Sequence, residues 1–103
     1  MDKTHLRAEI LKALGQPTRL KIIDVLRDGE RCVCEIFPAI SEEQSNTSRH
    51  LILMVSTGIL SRRKEGVKIY YTVKHPEIFE IVDLATLIMT QEITGRHSLL
   101  KVV

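Results

Sequence analysis

The chain lacks tryptophan, has only two cysteines, and contains no apolar run that approaches the length of a membrane span. A membrane-spanning helix needs roughly 18 consecutive apolar residues, and the first residues, MDKTHLRAEI, do not contain the apolar segment of a signal peptide. We therefore expect a cytoplasmic protein that makes no membrane contact. In that compartment the two cysteines are expected to be reduced thiols and not a structural disulfide.

Aromatic residues are also scarce, at 4% of 103 residues, although hydrophobic residues make up 44%. The core must therefore be built from Leu, Ile and Val, which suits packed helices. A chain of this length corresponds to a single domain, residues 1–103, with one core of modest stability that a homodimer would reinforce. The net charge is only +2, so affinity for a polyanion would have to come from local clusters of cations.

Apolar spacing and turn residues divide the chain into helices and one β-hairpin. Pro38 interrupts or ends the third helix because proline lacks an amide hydrogen, and Ser41 is a candidate cap for the fourth. The last helix has too many apolar positions for one exposed stripe, so we expect a second protein surface to cover it. The predicted elements are helices at about 3–14, 17–28, 32–40 and 43–57, a hairpin within 59–73, and a long helix from residue 76.

The fourth predicted helix begins with an unusual run of polar side chains. Glutamine and asparagine can make paired hydrogen bonds to adenine in the major groove, and arginine can make them to guanine. Serine and threonine can contact either phosphates or bases. This composition favours a helix that reads DNA, and the alternative is a solvated surface helix. The candidate DNA-binding residues on it are Gln44, Ser45, Asn46, Thr47, Ser48, Arg49 and His50.

The predicted hairpin is strongly basic. Residues 61–74 contain five cationic side chains against Glu65 alone, so this segment carries more positive charge than the whole chain nets. Such a hairpin would bind phosphates in a salt-sensitive, sequence-independent manner beside a reading helix. Together with the order of the helices, it predicts a winged helix-turn-helix. The candidate phosphate contacts here are Arg62, Arg63, Lys64 and Lys68.

Four segments carry a resemblance to a known family: ALGQPTRLKIIDVLRDGERCVCEI (13–36), QSNTSRHL (44–51), GIL (58–60) and GVKIYYTV (66–73). Over about residues 8–75 the chain resembles the ArsR/SmtB family of metal-sensing winged-helix repressors. The resemblance implies a mostly α fold with a small β-hairpin, and a homodimer paired through the first and last helices. It also implies binding to an inverted-repeat operator in double-stranded DNA, which ligand binding reverses.

The two thiols, Cys32 and Cys34, resemble the inducer site of family members that sense arsenite, antimonite or soft ions such as cadmium and lead. Thiolates bind thiophilic ions. Such an ion would be an inducer, and no constitutive cofactor is expected. On a regular helix, residues i and i+2 point about 200° apart, so chelation would require an unwound turn. Pro38 makes such unwinding easier, because it removes the amide that would bond the Cys34 carbonyl.

Trivalent arsenic takes up to three sulfur ligands, but no third cysteine is present and Phe37 stands where some arsenic sensors have one. The third position would be filled by hydroxide, a small thiol, a cysteine of another protomer, or a histidine such as His5. Thiol-based redox sensing and a purely structural role as small buried hydrophobes remain alternatives.

A second metal site and an enzymatic function are both disfavoured. The family's second metal site lies on the last helix, where Asp83 could match the first ligand. However, the other ligand spacings hold Ala85, Arg96 and Leu99. An enzyme is disfavoured as well, because there is no Cys-x-x-Cys motif, no alternating strand-helix pattern and no catalytic acid or base grouping beside the cysteines.

Overall fold

A computed structural model describes residues 2–102 of the chain, with side chains up to residue 96. The architecture is mostly helical with a small antiparallel sheet, which confirms the predicted winged helix-turn-helix. In chain order the elements are α1 (Lys3–Leu14), α2 (Pro17–Val25), a 3-10 turn (Leu26–Asp28), β1 (Arg31–Cys32), α3 (Val33–Ala39), α4 (Gln44–Ser56), β2 (Leu60–Glu65), β3 (Lys68–Val73) and α5 (Glu77–Val102).

The first two helices begin at side-chain caps that the sequence supplies. Asp2 accepts a hydrogen bond from the Thr4 amide at 3.1 Å, and Gln16 accepts one from the Arg19 amide at 2.9 Å. These caps satisfy amides that have no partner within the helix. Pro17 lies in the first turn of α2, where a missing amide hydrogen costs nothing.

The turn between α3 and α4 corrects the prediction that Ser41 caps the fourth helix. Ser41 has a left-handed backbone, with φ of 56°, and its amide donates to the Pro38 carbonyl at 3.1 Å. It therefore ends α3, which extends one residue beyond Pro38. The N-cap position of α4 is occupied by Glu43, whose side chain makes no capping hydrogen bond.

The sheet has the strand order β1-β3-β2, with both pairs antiparallel. β2 and β3 form the predicted hairpin, which is called the wing below. The sequence did not predict β1, because two residues are too few to show alternation. In this short strand Arg31 pairs with Tyr71 and Cys32 pairs with Tyr70. The segment that carries the first cysteine is therefore hydrogen-bonded to the wing.

The core is aliphatic, as the scarcity of aromatic residues predicted. Its fully buried large side chains include Ile22, Ile23, Ile36, Leu51, Met54, Ile59 and Leu60. The 3-10 turn is fastened to α5 by Arg27, which donates to Asp83 at 2.7 Å and lies over the Phe79 ring. Among the described residues, no helix is long and apolar enough to cross a membrane.

Both terminal helices leave large apolar side chains exposed to solvent. These side chains are Leu6, Ile10 and Leu11 of α1, and Leu84, Leu87, Ile88, Met89 and Ile93 of α5. Exposed apolar surface on this scale on two helices is typical of a protein interface.

Candidate nucleic-acid interface and cysteine site

The predicted polar helix, α4, presents some of its polar run to solvent and buries the rest. Gln44, Ser45 and Arg49 are exposed, and Asn46 and Ser48 are half-buried. Thr47 is fully buried, and its hydroxyl donates to the Glu43 carbonyl at 3.0 Å. The prediction that Thr47 contacts DNA is therefore wrong: the helical period turns this one residue of the polar run into the core.

Two members of the run, Asn46 and Arg49, are held by side-chain hydrogen bonds to residues three or four positions away. Asn46 Nδ2 donates to Glu42 Oε2 at 2.9 Å, and Arg49 Nη2 donates to Asn46 Oδ1 at 2.8 Å. Pairs three and four residues apart on a helix stabilise each other weakly and restrict side-chain rotamers. Asn46 and Arg49 are thus partly ordered before any ligand arrives.

His50 lies at the junction of α2 and α4. Its Nδ1 accepts a hydrogen bond from Arg19 Nε at 3.1 Å, and Arg19 Nη1 also donates to the Ala13 carbonyl at 3.2 Å. Burial lowers the pKa of His50, and the nearby charges of Arg19 and Arg49 lower it further. The imidazole links α4 to α2, and its predicted contact with DNA stays a prediction.

The wing carries the basic side chains that the sequence predicted, but they are not equivalent. Arg62, Lys64 and Lys68 are exposed. Arg63 instead donates to both carboxylate oxygens of Glu30, at 2.7 and 2.6 Å, and to Glu65 at 2.9 Å. The hydrogen bond from Arg63 lowers the pKa of Glu30. The Arg63 guanidinium links the wing to the segment before β1, so it already has carboxylate partners, and its contact with phosphate stays a prediction.

The cysteine pair lies at the start of α3 and shows that the expected unwinding of the helix is unnecessary. Cys32 has an extended backbone, with φ of −77° and ψ of 160°, and Cys34 lies in the first helical turn. The two Cα atoms are 5.2 Å apart and the sulfur atoms are joined as a disulfide, whereas the sequence predicted reduced thiols. The side chains converge because Cys32 precedes the helix.

The two cysteines differ in accessibility. Cys32 is only 2% exposed, whereas Cys34 is exposed. The Cys32 amide donates to Glu35 Oε1 at 3.2 Å, which holds the start of α3 in this conformation. Cys34 is therefore the sulfur that a solvent-borne reagent meets first.

A cleft of about 410 Å³ opens between the cysteines, α4 and the wing. Its volume lies within the range of small-molecule sites. Gln44, Ser48 and Ile52 line it from α4, and Arg62, Lys68 and Tyr71 line it from the wing. Several candidate DNA contacts thus border the same cleft as the cysteine pair, which the sequence alone did not indicate.

Once the disulfide is reduced, Cys32 and Cys34 would offer a thiophilic ion two converging thiolate ligands, a donor set that suits soft ions. Among the described side chains, no group of three or more His, Cys, Asp or Glu residues could hold a metal ion. Asp83, the first candidate ligand of the alternative site on α5, is paired with Arg27. The Leu99 side chain lies outside the described residues.

A helical pair, α3 and α4, followed by a basic two-stranded wing, defines the winged helix-turn-helix class of DNA-binding proteins. A model of bacterial regulatory proteins of the arsR family matches residues 16–62. The chain belongs to this family, which consists of transcriptional regulators and not enzymes.

Three similar proteins illustrate this relationship. An uncharacterized HTH-type transcriptional regulator of Methanocaldococcus jannaschii is 39% identical, over 82% of this chain and 96% of its own. An arsenical resistance operon repressor of Staphylococcus aureus is 32% identical, over 79% of this chain and 78% of its own. The homodimeric winged helix-turn-helix DNA-binding domain of a Mycobacterium bovis protein superposes with a TM-score of 0.79 at 27% identity, covering 89% of this chain and 85% of that domain.

Proposed function

We propose that the chain is a homodimeric transcriptional repressor that leaves its operator when arsenite, antimonite or another thiophilic ion binds Cys32 and Cys34. The convergence of the two sulfur atoms beside α4 is the observation that carries this proposal. The arsenical repressor of Staphylococcus aureus supports the choice of a metalloid. Double-stranded DNA with an inverted repeat is the partner.

The exposed and half-buried polar side chains of α4 supply base contacts, and the wing cations that have no ion pair among the described residues supply phosphate contacts. Gln44, Ser45, Asn46, Ser48 and Arg49 form the first group, and Arg62, Lys64 and Lys68 form the second. In a dimer the two α4 helices must enter successive major grooves. A small change in their separation or tilt therefore weakens DNA binding.

The exposed apolar side chains of α1 and α5 support the homodimer. Pairing these helices across a twofold axis would bury the same patch on both protomers. The homodimeric domain of Mycobacterium bovis, which has a similar fold, supports a homodimer.

The position of Cys32 suggests how the ion acts. Cys32 belongs both to the start of α3 and to β1, whose partner strand is β3 of the wing. An ion held by Cys32 and Cys34 therefore changes a segment that touches both DNA-binding elements. A coupling of about 1–3 kcal/mol would lower DNA affinity about 5- to 150-fold, and DNA would weaken ion binding by the same factor.

The first experiment is fluorescence anisotropy of the reduced protein on its own upstream DNA, titrated with arsenite at fixed salt and pH. We expect release near one arsenite per cysteine pair, and no release for Cys32→Ser or Cys34→Ser. Ser61→Ala, a change in the wing away from the cysteines, serves as the control and should respond like the parent protein. If arsenite leaves the parent protein bound, the metalloid assignment is wrong.

The disulfide between Cys32 and Cys34 favours one alternative, a thiol-redox regulator of the same fold. In that case DNA affinity would differ between the oxidised and reduced protein without any ion present. Comparison of the two forms on the same DNA separates the functions, since a metalloid sensor responds to arsenite only when it is reduced.

A further inference from the structure

We infer that the cleft beside Cys34 binds a small anionic thiol, a thiol that carries a carboxylate, which supplies the third sulfur ligand to arsenic. This inference rests on the proposed function. The chain has only two cysteines, so a third sulfur ligand for arsenic has to come from another molecule.

The location of the cleft is the first reason. It borders both cysteines, and one of them, Cys34, is exposed to solvent. A ligand that enters it can therefore reach an arsenic atom on the sulfur pair. With about 410 Å³, the cleft has room for a molecule of several heavy atoms besides the ion.

The charge of the cleft is the second reason. Arg62 and Lys68 line it, and neither has an ion pair with a described acidic side chain. The guanidinium of arginine suits a carboxylate because two N–H groups can donate to its two oxygens. Glu30 and Glu65 are paired with Arg63 and do not line the cleft.

The walls of the cleft fit the rest of such a molecule. Ile52, Val67 and Ile69 offer apolar contacts for a short carbon chain, and Gln44 and Ser48 offer hydrogen-bonding groups. Val67 is 97% exposed without a ligand, so a bound molecule would cover an apolar side chain that is otherwise in water.

The chemistry balances without any change of arsenic oxidation state. Two equivalents of the small thiol first reduce the disulfide of the chain and leave as their own disulfide. Arsenous acid, As(OH)₃, then exchanges each hydroxide for a thiolate. The Cys32, Cys34 and small-thiol protons leave with the three hydroxides as three waters, and three As–S bonds replace three As–O bonds.

Occupancy of the cleft would also oppose DNA binding directly. Gln44, Ser48, Arg62 and Lys68 are candidate DNA contacts as well as cleft residues. A molecule that neutralises the two cations and covers the two polar side chains competes with phosphates and bases for them. The small thiol would therefore contribute to release and would not merely complete the coordination.

The test is native mass spectrometry of the reduced full chain with arsenite and one of three thiols of similar size. These are 3-mercaptopropionate (anionic), 2-mercaptoethanol (neutral) and 2-mercaptoethylamine (cationic). We expect a species that contains one arsenic and one small thiol per protomer. The anionic thiol should half-saturate it at about two- to fivefold lower concentration than the neutral one, the range expected for one exposed ion pair.

Matched variants locate the effect in the cleft. Lys68→Met and Arg62→Gln should each reduce the preference for the anionic thiol, whereas Lys64→Met, a wing cation outside the cleft, should keep it. The comparison between variants removes differences in how the three thiols complex arsenite in solution. Anisotropy on operator DNA should show release at lower arsenite concentration with 3-mercaptopropionate than with 2-mercaptoethanol.

The outcomes separate this inference from the proposed function. Arsenic bound without a small thiol, or arsenic that joins two protomers, would overturn the inference and leave the metalloid sensor intact. A thiol-containing species whose charge preference survives both cleft variants would overturn the cleft as its location. If the reduced chain binds no arsenic at all, the proposed function itself fails.

Discussion

Arg63 and Glu30 are joined by two parallel hydrogen bonds, from Nε at 2.7 Å and from Nη2 at 2.6 Å, although they lie far apart in the sequence. Arg63 belongs to β2 and Glu30 directly precedes β1, so the pair fastens the wing to the segment that leads into Cys32. The Arg63 guanidinium also lies 4.6 Å from the centre of the Tyr70 ring. These side-chain contacts therefore link the wing to the segment before the cysteine site, in addition to the pairing of β1 with β3.

The two neighbouring arginines of the wing should differ in their effect on salt-dependent DNA binding. Arg62→Gln should reduce the slope of log affinity against log salt concentration by about one, because one phosphate contact is lost. Arg63→Gln should leave that slope unchanged, since Arg63 is already neutralised by Glu30 and Glu65. Anisotropy at several salt concentrations measures both slopes. Equal losses for the two variants would show that Arg63 leaves its carboxylates to contact DNA.

Thr47 should matter for stability and not for DNA reading. Thr47→Val keeps the shape of the buried side chain but removes the hydroxyl that donates to Glu43. The expected cost is about 0.5–1.5 kcal/mol in the free energy of unfolding, the usual net contribution of a hydrogen bond. Urea denaturation measures this cost, and DNA affinity should be unchanged. Ser45→Ala, on the exposed side of α4, should weaken DNA binding without lowering the free energy of unfolding. Weaker DNA binding by Thr47→Val would contradict the assignment of Thr47 to the core.

The sequence predicted the elements whose signals are local and repeated. The polar run of α4 and the basic hairpin are such signals, and both occur where expected. Two features depend on contacts between residues that are far apart in the sequence, which local patterns do not reveal. A two-residue strand has no periodicity of its own, so the sequence places Cys32 in a helix, where convergence of the thiols would require unwinding. The pairing of Arg63 with Glu30 joins residues 33 positions apart, so counting charges within the hairpin overestimated its free cations.

The burial of His50 beside Arg19 should make the stability of the fold depend on pH. The folded pKa of His50 lies below its ordinary value of 6.5, with burial as the main cause. Below pH 6.5 the unfolded chain therefore binds a proton that the folded chain resists, and stability falls as the pH decreases. Above that pH the contribution is fully present. Thermal unfolding between pH 8 and pH 5 should show a smaller decrease in Tm for His50→Asn than for the parent protein.

The choice of asparagine preserves an acceptor for the Arg19 guanidinium while removing the titrating group. His75→Asn, which alters an exposed histidine at the end of the wing, is the matched control and should retain the parent's pH dependence. An identical decrease in Tm for all three proteins would mean that protonation of His50 does not oppose folding.

The exposed apolar face of α5 should hold the homodimer together. Ile88 is 61% exposed in one protomer, and a twofold interface would bury it twice. Burial of one such side chain is worth about 1.5–3 kcal/mol, so Ile88→Glu should weaken the dimer by about 100-fold or more. Sedimentation equilibrium should then detect monomers. Operator affinity should fall because the two α4 helices are no longer held together in one dimer. Thr90→Glu adds the same charge about 200° around the helix and should leave more of the dimer intact. If Ile88→Glu stays dimeric and Leu6→Glu in α1 does too, the protomers pair through another surface.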